Sequence, residues 1–262
     1  MSKADSISPE SYRALGATGT PVSALGLGTV KFGRNTNVKY PFDFTIPDDT
    51  DLSFLLNLCF DLGINLIDTA PAYGTSEARI GKLLPGSRTN WYLATKVGEY
   101  YENGHSNFDF TAKTTLKSVE NSLRNLKTDY IDLVSIHSNG EDELIIDQTD
   151  ILGTLEKLKT KGLINSIGMS TKTIAGGLKA LEFVDVVMVE LNREDQSQSS
   201  VIDKAKSLGK SVLIKKALTS GHVSDPSKAL NFAITYPGVT SVILGTINPE
   251  HLRQNISAFT SA

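Results

Sequence analysis

Four polar side chains in the first half of the sequence have the functional groups needed to reduce a carbonyl compound. They are the carboxylate of Asp68, the phenol of Tyr73, the ammonium of Lys96 and the imidazole of His137. A hydride delivered to a carbonyl carbon leaves charge on the oxygen, so a positioned acid must supply a proton. Tyr73 has a suitable hydroxyl, although an ordinary phenol, with a pKa of about 10, is a weak acid at neutral pH.

The other three side chains can assist that hydroxyl. A neighbouring ammonium such as Lys96 favours the phenolate and would lower the pKa of Tyr73. Asp68 can pair with Lys96 and hold it in place, and His137 can donate a hydrogen bond to the same carbonyl oxygen. Each residue taken alone also fits a structural role. An Asp after a strand often forms a turn, and a Lys at the end of a strand often extends its ammonium into solvent. Their combination predicts a reductase site.

Apolar strands and amphipathic helices alternate from about residue 23 to the end of the chain, and three of the strands end at these side chains. The expected strands are Ala24–Val30, Asn65–Thr69, Trp91–Val97, Ile131–His137, Ile164–Ser170, Val184–Leu191, Ser211–Ala217 and Thr240–Gly245. Several are continuously apolar, which is typical of a parallel sheet covered on both faces. Thr111–Leu126 and Ile151–Lys161 have the apolar spacing of helices. Eight such units without a linker predict one domain over residues 1–262, an α/β fold of the (β/α)8 TIM barrel type.

Three further segments bear on the expected site. Tyr12–Val22 has the pattern of an N-terminal β-hairpin, which could close the floor of the barrel. Lys31–Asp49 and Glu99–Phe110 are long, aromatic connections that follow the first and third strands. Because both leave the C-terminal ends of strands, where barrel active sites are built, they are expected to be pocket walls or lids, or else surface loops anchored by an aromatic side chain.

Composition argues against several other classes of protein. The net charge is −3, from 26 basic and 29 acidic side chains, so no basic excess favours nucleic acid. The single cysteine, Cys59, permits no intramolecular disulfide and no cysteine-based metal cluster, and its apolar neighbours predict a buried side chain. No metal site is expected. Without a signal-peptide pattern or an apolar run of about 18 residues, we expect a cytoplasmic protein with no membrane partner.

Longer motifs around these residues resemble those of the aldo–keto reductase family. The matching segments are Val22–Thr29, Ile64–Gly74, Ala94–Lys96, Thr128–Leu133, Ile167–Ser170 and Gly245–Asn255. The resemblance runs in order from residue 12 to residue 255, and Ile64–Gly74 is its most specific part. It implies an NAD(P)H-dependent oxidoreductase that reduces a small aldehyde or ketone to an alcohol. The implied catalytic tetrad is Asp68, Tyr73, Lys96 and His137, with Tyr73 as the general acid. A monomer is also implied.

The resemblance further implies a nicotinamide cofactor lying extended across the barrel mouth, without a glycine-rich Rossmann turn. The implied cofactor-binding positions are Thr29, Ser170, Lys215, Leu218, Gly221, Gly245, Thr246, Asn248 and Asn255. The sequence departs from the family pattern near the nicotinamide. The usual Asn after Ser170 is Thr171, and the usual strand-six Gln is Met188, which cannot form the amide hydrogen bonds. Lys215 stands where an aromatic residue commonly stacks on the nicotinamide.

The adenosine end departs from the pattern as well. Gly245 and His251 stand where members selective for the 2′-phosphate often carry a basic residue and an Arg. Loss of fixed cations weakens discrimination for that phosphate. NAD(H) is therefore also possible, and NADP(H) is favoured only because it is the usual cofactor of the family that the sequence resembles.

The substrate pocket is expected to be open and shallow. The chain stops at Ala262, soon after its last predicted helix, so the tail that closes the pocket in larger members is expected to be absent. Small aldehydes, dicarbonyls or aldoses would fit. The expected lining residues are Val30, Phe32, Tyr100, Tyr101 and Phe108.

Two other functions remain open. The departures at Met188 and Lys215 would suit a cofactor-binding regulatory module with little turnover, since some barrels of this family regulate membrane channels. A strand lysine such as Lys96, Lys215 or Lys216 could instead form a Schiff base in a lyase. For Lys96 the neighbouring Asp68 favours the ammonium form, which argues against that chemistry.

Overall fold

Eight short parallel strands close into a barrel in the order in which they follow one another along the chain. The computed structural model describes residues 6–223 and 225–260. Its strands are β1 (Arg13–Leu15), β2 (Thr20–Val22), β3 (Leu25–Gly28), β4 (Leu66–Asp68), β5 (Tyr92–Val97), β6 (Glu99–Glu102), β7 (His105–Phe108), β8 (Ile131–His137), β9 (Ile164–Ser170), β10 (Val186–Glu190), β11 (Ser211–Lys215) and β12 (Ser241–Leu244). The barrel order is β3-β4-β5-β8-β9-β10-β11-β12, closing back on β3. All eight predicted strands are present, each within its predicted bounds, so the predicted (β/α)8 fold is confirmed.

Helices surround this barrel. They are α1 (Asp49–Asp61), α2 (Ser76–Leu83), α3 (Ala112–Leu126), α4 (Asp142–Gln148), α5 (Ile151–Thr160), α6 (Ile174–Ala180), α7 (Ser199–Ser207), α8 (Pro226–Thr235) and α9 (Pro249–Thr260). Cys59 on α1 is fully buried, as predicted, and burial raises the pKa of its thiol to about 12. That thiol is therefore unreactive at neutral pH. No helix within residues 6–223 and 225–260 is long and apolar enough to span a bilayer.

The predicted N-terminal hairpin closes the floor of the barrel. β1 pairs with β2 in antiparallel register, and Leu15 and Val22 are completely buried in the barrel interior. The turn lies directly against the strands, since the backbone N–H of Gly16 donates to Oγ of Ser211 at 3.1 Å. Gly16 has a φ of +73°, and a Cβ there would lie 2.3 Å from Oγ of Ser166. Only glycine fits this turn, so the hairpin seals the end opposite the predicted site.

The two long connections lie at the other end. The segment after β3 makes a short 3₁₀ turn at Val30–Phe32 and then runs without regular structure to Asp48, which caps α1 by accepting from the Asp51 N–H. The segment after β5 is a β-hairpin, β6–β7, in which Glu99 pairs with Phe108. Both rise from the carboxyl ends of their strands and border the mouth of the barrel.

Candidate active site

Strand alternation brings the predicted chemical groups to the inner face of the barrel mouth. Successive side chains of a strand point to opposite sides, so every second residue of a barrel strand faces inward. Ala94 is buried in the barrel interior, and Lys96 follows it by two positions. Leu133 is interior as well, which directs His137 inward four residues later. Asp68 pairs with Ala94 across β4 and β5 and therefore lies beside this group.

Lys96 and Asp68 form a buried ion pair in the centre of the site. Nζ of Lys96 lies 2.7 Å from both carboxylate oxygens of Asp68 and donates to the carbonyl oxygen of Thr69 at 2.9 Å. Lys96 is 2% exposed and Asp68 is 5% exposed. Bidentate pairing together with a third acceptor fixes the position of the ammonium.

Tyr73 lies over this ammonium. Its ring centroid is 4.9 Å from Nζ of Lys96, and it meets the His137 ring edge-on at 6.3 Å between centroids. Tyr73 ends a 3₁₀ turn that begins with Pro71. Gly74 follows with a φ of +63°, and a Cβ there would lie 2.2 Å from the carbonyl oxygen of Gly33. The turn therefore requires glycine at this position, and it holds the tyrosine over the barrel mouth.

The electrostatics of Tyr73 differ from the expectation. Burial raises the pKa of Tyr73, and the Lys96 ammonium opposes that rise without cancelling it. Lys96 therefore acts in the predicted direction, but burial outweighs it and the net pKa of Tyr73 is raised, because the depth at which the phenol is buried is not visible in the sequence. At neutral pH Tyr73 retains its proton and can act as a donor.

Lys96 is held in its charged form. Burial alone would lower the pKa of Lys96, but Asp68 and Tyr73 outweigh burial and raise it. A Schiff base requires a neutral, nucleophilic amine. The observed pairing therefore argues against a lyase that uses Lys96.

Glu99 is a residue of this site that the sequence reasoning missed. Its Oε2 lies 2.7 Å from Nδ1 of His137, and its Oε1 lies 3.9 Å from Nη1 of Arg34. Burial alone would raise the pKa of Glu99. Its contacts with His137, Ser106 and Arg34 outweigh burial and lower this pKa to about 2. The glutamate is thus an anion beside Nδ1 of His137, and its charge favours a proton on that nitrogen.

The imidazole itself tends toward neutrality. Burial lowers the pKa of His137, and the positive charges of Lys96 and Lys215 lower it further. Glu99 raises this pKa but does not outweigh burial. With Nδ1 facing Glu99, Nε2 is the nitrogen left for a ligand. It accepts a hydrogen bond while the ring is neutral and donates one when the ring is protonated.

Replacing Glu99 with Gln is expected to change the pH profile of any activity that depends on His137. Glu99 raises the pKa of His137, so its loss should lower that pKa and move the acidic limb of the profile to lower pH. We also expect kcat/KM to fall by about tenfold as the ring loses its orienting contact. The measurement is kcat/KM against pH, with Glu102→Gln, an exposed carboxylate of the same hairpin, as the matched control. Identical profiles for wild type and Glu99→Gln would contradict this role.

A cleft of about 1090 Å³ extends from this group across the barrel mouth to the beginning of α9. Eight of the nine predicted cofactor positions line it: Thr29, Ser170, Lys215, Leu218, Gly221, Gly245, Thr246 and Asn255. Asn248 is not among the lining residues. Its Oδ1 accepts from the backbone N–H groups of Glu250 at 2.8 Å and His251 at 3.3 Å, so the side chain caps α9 instead.

The walls of the cleft differ from the expected ones. Of the five predicted lining residues, only Val30 borders the cleft, and Phe32 is fully buried beneath it. The segment after β3 supplies the wall instead. There the hydroxyl of Tyr40 lies 2.9 Å from where a Cβ on Gly245 would be, and Nζ of Lys31 lies 3.8 Å from the Tyr40 ring centroid. This segment thus crosses the end of the cleft near α9.

The opposite side of the mouth contains the departures from the family pattern. Lys215 donates from Nζ to Oγ of Ser170 at 3.0 Å and to the carbonyl oxygen of Thr171 at 2.8 Å. Burial lowers the pKa of Lys215 to about 8. Met188 is 3% exposed and borders the cleft, whereas Thr171 is fully buried and does not line it.

The charge of the cleft suits a polyanionic ligand such as a dinucleotide. Seven basic side chains line it: Lys31, Arg34, Lys39, Lys96, Lys172, Lys215 and Lys216. Four acidic side chains offset them: Asp43, Asp68, Glu99 and Glu190. This local excess is positive although the whole chain carries −3, and such a cleft concentrates anions. Across the described part of the chain, no group of three or more His, Cys, Asp or Glu side chains is arranged to hold a metal ion.

Comparison with known proteins identifies the family. The model of the aldo/keto reductase family matches residues 24–228, most of the chain. The chain belongs to the aldo/keto reductase family. It is 46% identical to a Pseudomonas aeruginosa protein of known structure assigned to the aldo-keto reductases, with a TM-score of 0.90 over 98% of this chain and 97% of that one.

Two further relatives of this aldo/keto reductase are more distant. A solved aldo-keto reductase of Bacillus halodurans, in its holo form, is 25% identical, with a TM-score of 0.81 over 95% of this chain and 90% of that chain. L-galactose dehydrogenase of Arabidopsis thaliana is 28% identical over 95% of this chain and 88% of its own length. Family membership makes the protein an oxidoreductase of the aldo/keto reductase type.

Proposed function

We propose that this aldo/keto reductase reduces a small aldehyde or ketone to an alcohol, with NAD(P)H as the hydride donor and Tyr73 as the general acid. The observation that carries the proposal is the stack of Asp68, Lys96 and Tyr73 beside His137 in a cationic cleft. When bound, the dihydronicotinamide supplies the hydride.

The protein's own groups move and stabilise the proton. The carbonyl oxygen accepts the hydrogen bond of the Tyr73 hydroxyl, and the proton passes to this oxygen as negative charge develops there. Lys96, fixed by Asp68, stabilises the phenolate that remains. In this proposal His137, with Nδ1 beside Glu99, uses Nε2 to orient the substrate. The same groups can run the step in reverse, with the Tyr73 phenolate accepting the proton of an alcohol.

The cofactor would lie along the cleft that these residues border. In this proposal Thr29 and Ser170 would hold the nicotinamide end near the tetrad. Gly245, Thr246 and Asn255 would hold the nucleotide end beside α9. The support for this placement is that these side chains line one continuous cleft whose charge attracts phosphates.

The substrate class we propose is a small polar carbonyl compound, including aldoses in their open-chain form. The relative named L-galactose dehydrogenase acts on a sugar, and this chain aligns with 88% of its length. The polar groups around Tyr73, together with Glu99 and Arg34, offer hydrogen bonds to hydroxyl groups near the reacting carbon.

Preference between NADPH and NADH is expected to be modest, below about a thousandfold in affinity. The reason is that Gly245 supplies no cation beside the nucleotide end and His251 is exposed. The measurement is a titration with each nucleotide, following the quenching of intrinsic fluorescence, to which the cleft residues Tyr40 and Tyr73 contribute. A preference above this bound would contradict the assignment of these positions.

The same titration, followed by a panel of small aldehydes, dicarbonyls and aldoses, tests the proposed function. Micromolar binding with oxidation of the nucleotide on any panel member supports the reductase. Binding without turnover would support a cofactor-binding regulatory module, which the Met188 and Lys215 departures also suit. Failure of both nucleotides to bind would refute the proposed function.

A further inference from the structure

Lys215 has an unusual position at the barrel mouth. It ends β11 and follows the interior Leu213 by two residues, so it points inward. Its side chain crosses in front of β10 and donates to Ser170 and to the Thr171 carbonyl at the end of β9. Ser170 is paired in register with His137 on the next strand. The Lys215 ammonium therefore lies next to the tetrad.

The charge of Lys215 has no direct counter-ion. Both of its hydrogen-bond acceptors are neutral, one a hydroxyl and the other a carbonyl. Within residues 6–223 and 225–260, no carboxylate oxygen forms an ion pair with it, and the nearby Glu190 pairs with Lys216 instead. Lys96, by contrast, has the full carboxylate of Asp68. A ligand in the cleft therefore meets Lys215 as an unneutralised positive charge.

The hydride donor must lie close to that charge. A substrate oxygen bonded to the Tyr73 hydroxyl places its carbon just beyond, and the donor carbon must come within about 3.5 Å of that carbon. Asp68, Lys96 and His137 occupy the β4, β5 and β8 side of the mouth. The space left for a nicotinamide ring is therefore the opposite side, from β9 through β12 to β3, where Ser170, Lys215 and Thr29 lie.

We propose that Lys215 sets the redox preference of the bound nucleotide, favouring the reduced over the oxidised form. The inference rests on the proposed function. The oxidised nicotinamide ring carries a positive charge and the reduced ring is neutral, so an ammonium in a water-poor cleft repels only the oxidised ring. The same repulsion makes the bound reduced nucleotide a weaker hydride donor and speeds release of the oxidised nucleotide after carbonyl reduction.

The preference should depend on pH through Lys215 itself. Burial lowers the pKa of Lys215 to about 8; Glu190 and Asp142 raise it, while Lys216 and Lys172 lower it. Below that pKa the ammonium and the full preference are present, and both are lost as the pH rises through it. The tetrad members His137, Lys96 and Tyr73, which face this part of the cleft, keep their form over the same interval. Burial lowers the pKa of His137, and the pKa values of Lys96 and Tyr73 are raised.

The test compares dissociation constants for NADP⁺ and NADPH, and for NAD⁺ and NADH, in the wild type, Lys215→Met and Lys215→Arg. We expect Lys215→Met to reduce the ratio of oxidised to reduced dissociation constants by at least about tenfold, while Lys215→Arg retains it. A second arm uses the wild type alone. There the ratio of oxidised to reduced dissociation constants should decrease as the pH is raised from about 6.5 to about 9.5. Proton release on NADP⁺ binding near pH 8 should be seen in the wild type and be absent in Lys215→Met.

Two failures can be told apart. Binding of both redox forms with a ratio that neither Lys215→Met nor pH alters would overturn the role of Lys215 and leave the proposed reductase intact. No binding of any of the four nucleotides by the wild type would overturn the proposed function, and this inference with it.

Discussion

Tyr73→Phe is expected to lower kcat by about a thousandfold while leaving the affinity for NADPH within about threefold. The substitution removes the proton donor and keeps the ring that meets His137 edge-on and covers Lys96. Because burial raises the pKa of Tyr73, the wild-type hydroxyl holds its proton through neutral pH and supplies it in the chemical step. The measurement is the single-turnover rate of NADPH oxidation with excess aldehyde, beside the dissociation constant from fluorescence.

Tyr130→Phe is the matched control for this substitution. Tyr130 directly precedes β8, at the opposite end of that strand from His137, and stacks on Arg88 far from the cleft. Removal of its hydroxyl should leave the rate within a few fold. If Tyr73→Phe retains the wild-type rate within the same margin, Tyr73 is not the proton donor.

Lys96→Met is expected to abolish measurable reduction and also to lower the free energy of unfolding by about 3–5 kcal/mol. The substitution leaves the Asp68 carboxylate in a buried position without its cation or its two short hydrogen bonds. It also removes the charge that stabilises the phenolate of Tyr73. The measurement combines denaturant unfolding with the single-turnover rate.

A second substitution separates stability from catalysis. In Lys96→Met/Asp68→Asn the buried charge is gone, so much of the lost stability should return while activity stays absent. Recovery of activity in the double variant would show that Lys96 acts only by neutralising Asp68. A single variant as stable as the wild type would contradict the buried ion pair.

The barrel and the tetrad could be predicted because both follow from local rules. Continuous apolar runs are typical of strands buried on both faces. Eight alternating strand–helix units are typical of a closed (β/α)8 barrel. Asp68, Lys96 and His137 lie at or near the ends of successive barrel strands, so closure brings them together without further information. The motif Ile64–Gly74 fixed the place of Tyr73 relative to Asp68.

The contacts of Glu99 and Lys215 could not be predicted in the same way. Glu99 reaches His137 only because the segment after β5 folds as a hairpin, whereas its sequence predicts only a long aromatic connection. Lys215 was recognised as a departure, but its reach to Ser170 across Met188 depends on the curvature of the closed barrel. Such contacts between distant segments leave no periodic signal.

The walls of the cleft were the least predictable part. Phe32 was expected at the surface of the pocket because it follows a strand end, yet the 3₁₀ turn at Val30–Phe32 buries it completely. The cover comes instead from the stretch around Tyr40, which has no regular structure to predict. Asn248 was assigned to the cofactor, whereas an Asn just before a helix favours capping, which is what it does here.

Direct observation of hydride transfer is the most decisive measurement. The purified protein would be incubated with NADPH carrying deuterium at both hydrogens of nicotinamide C4 and with a small aldehyde that it turns over. We predict one deuterium on the former carbonyl carbon of the alcohol, detected by mass spectrometry, and none with Tyr73→Phe over the same time. Alcohol formed without deuterium, or no alcohol from any aldehyde, dicarbonyl or aldose tested, would contradict carbonyl reduction at this site.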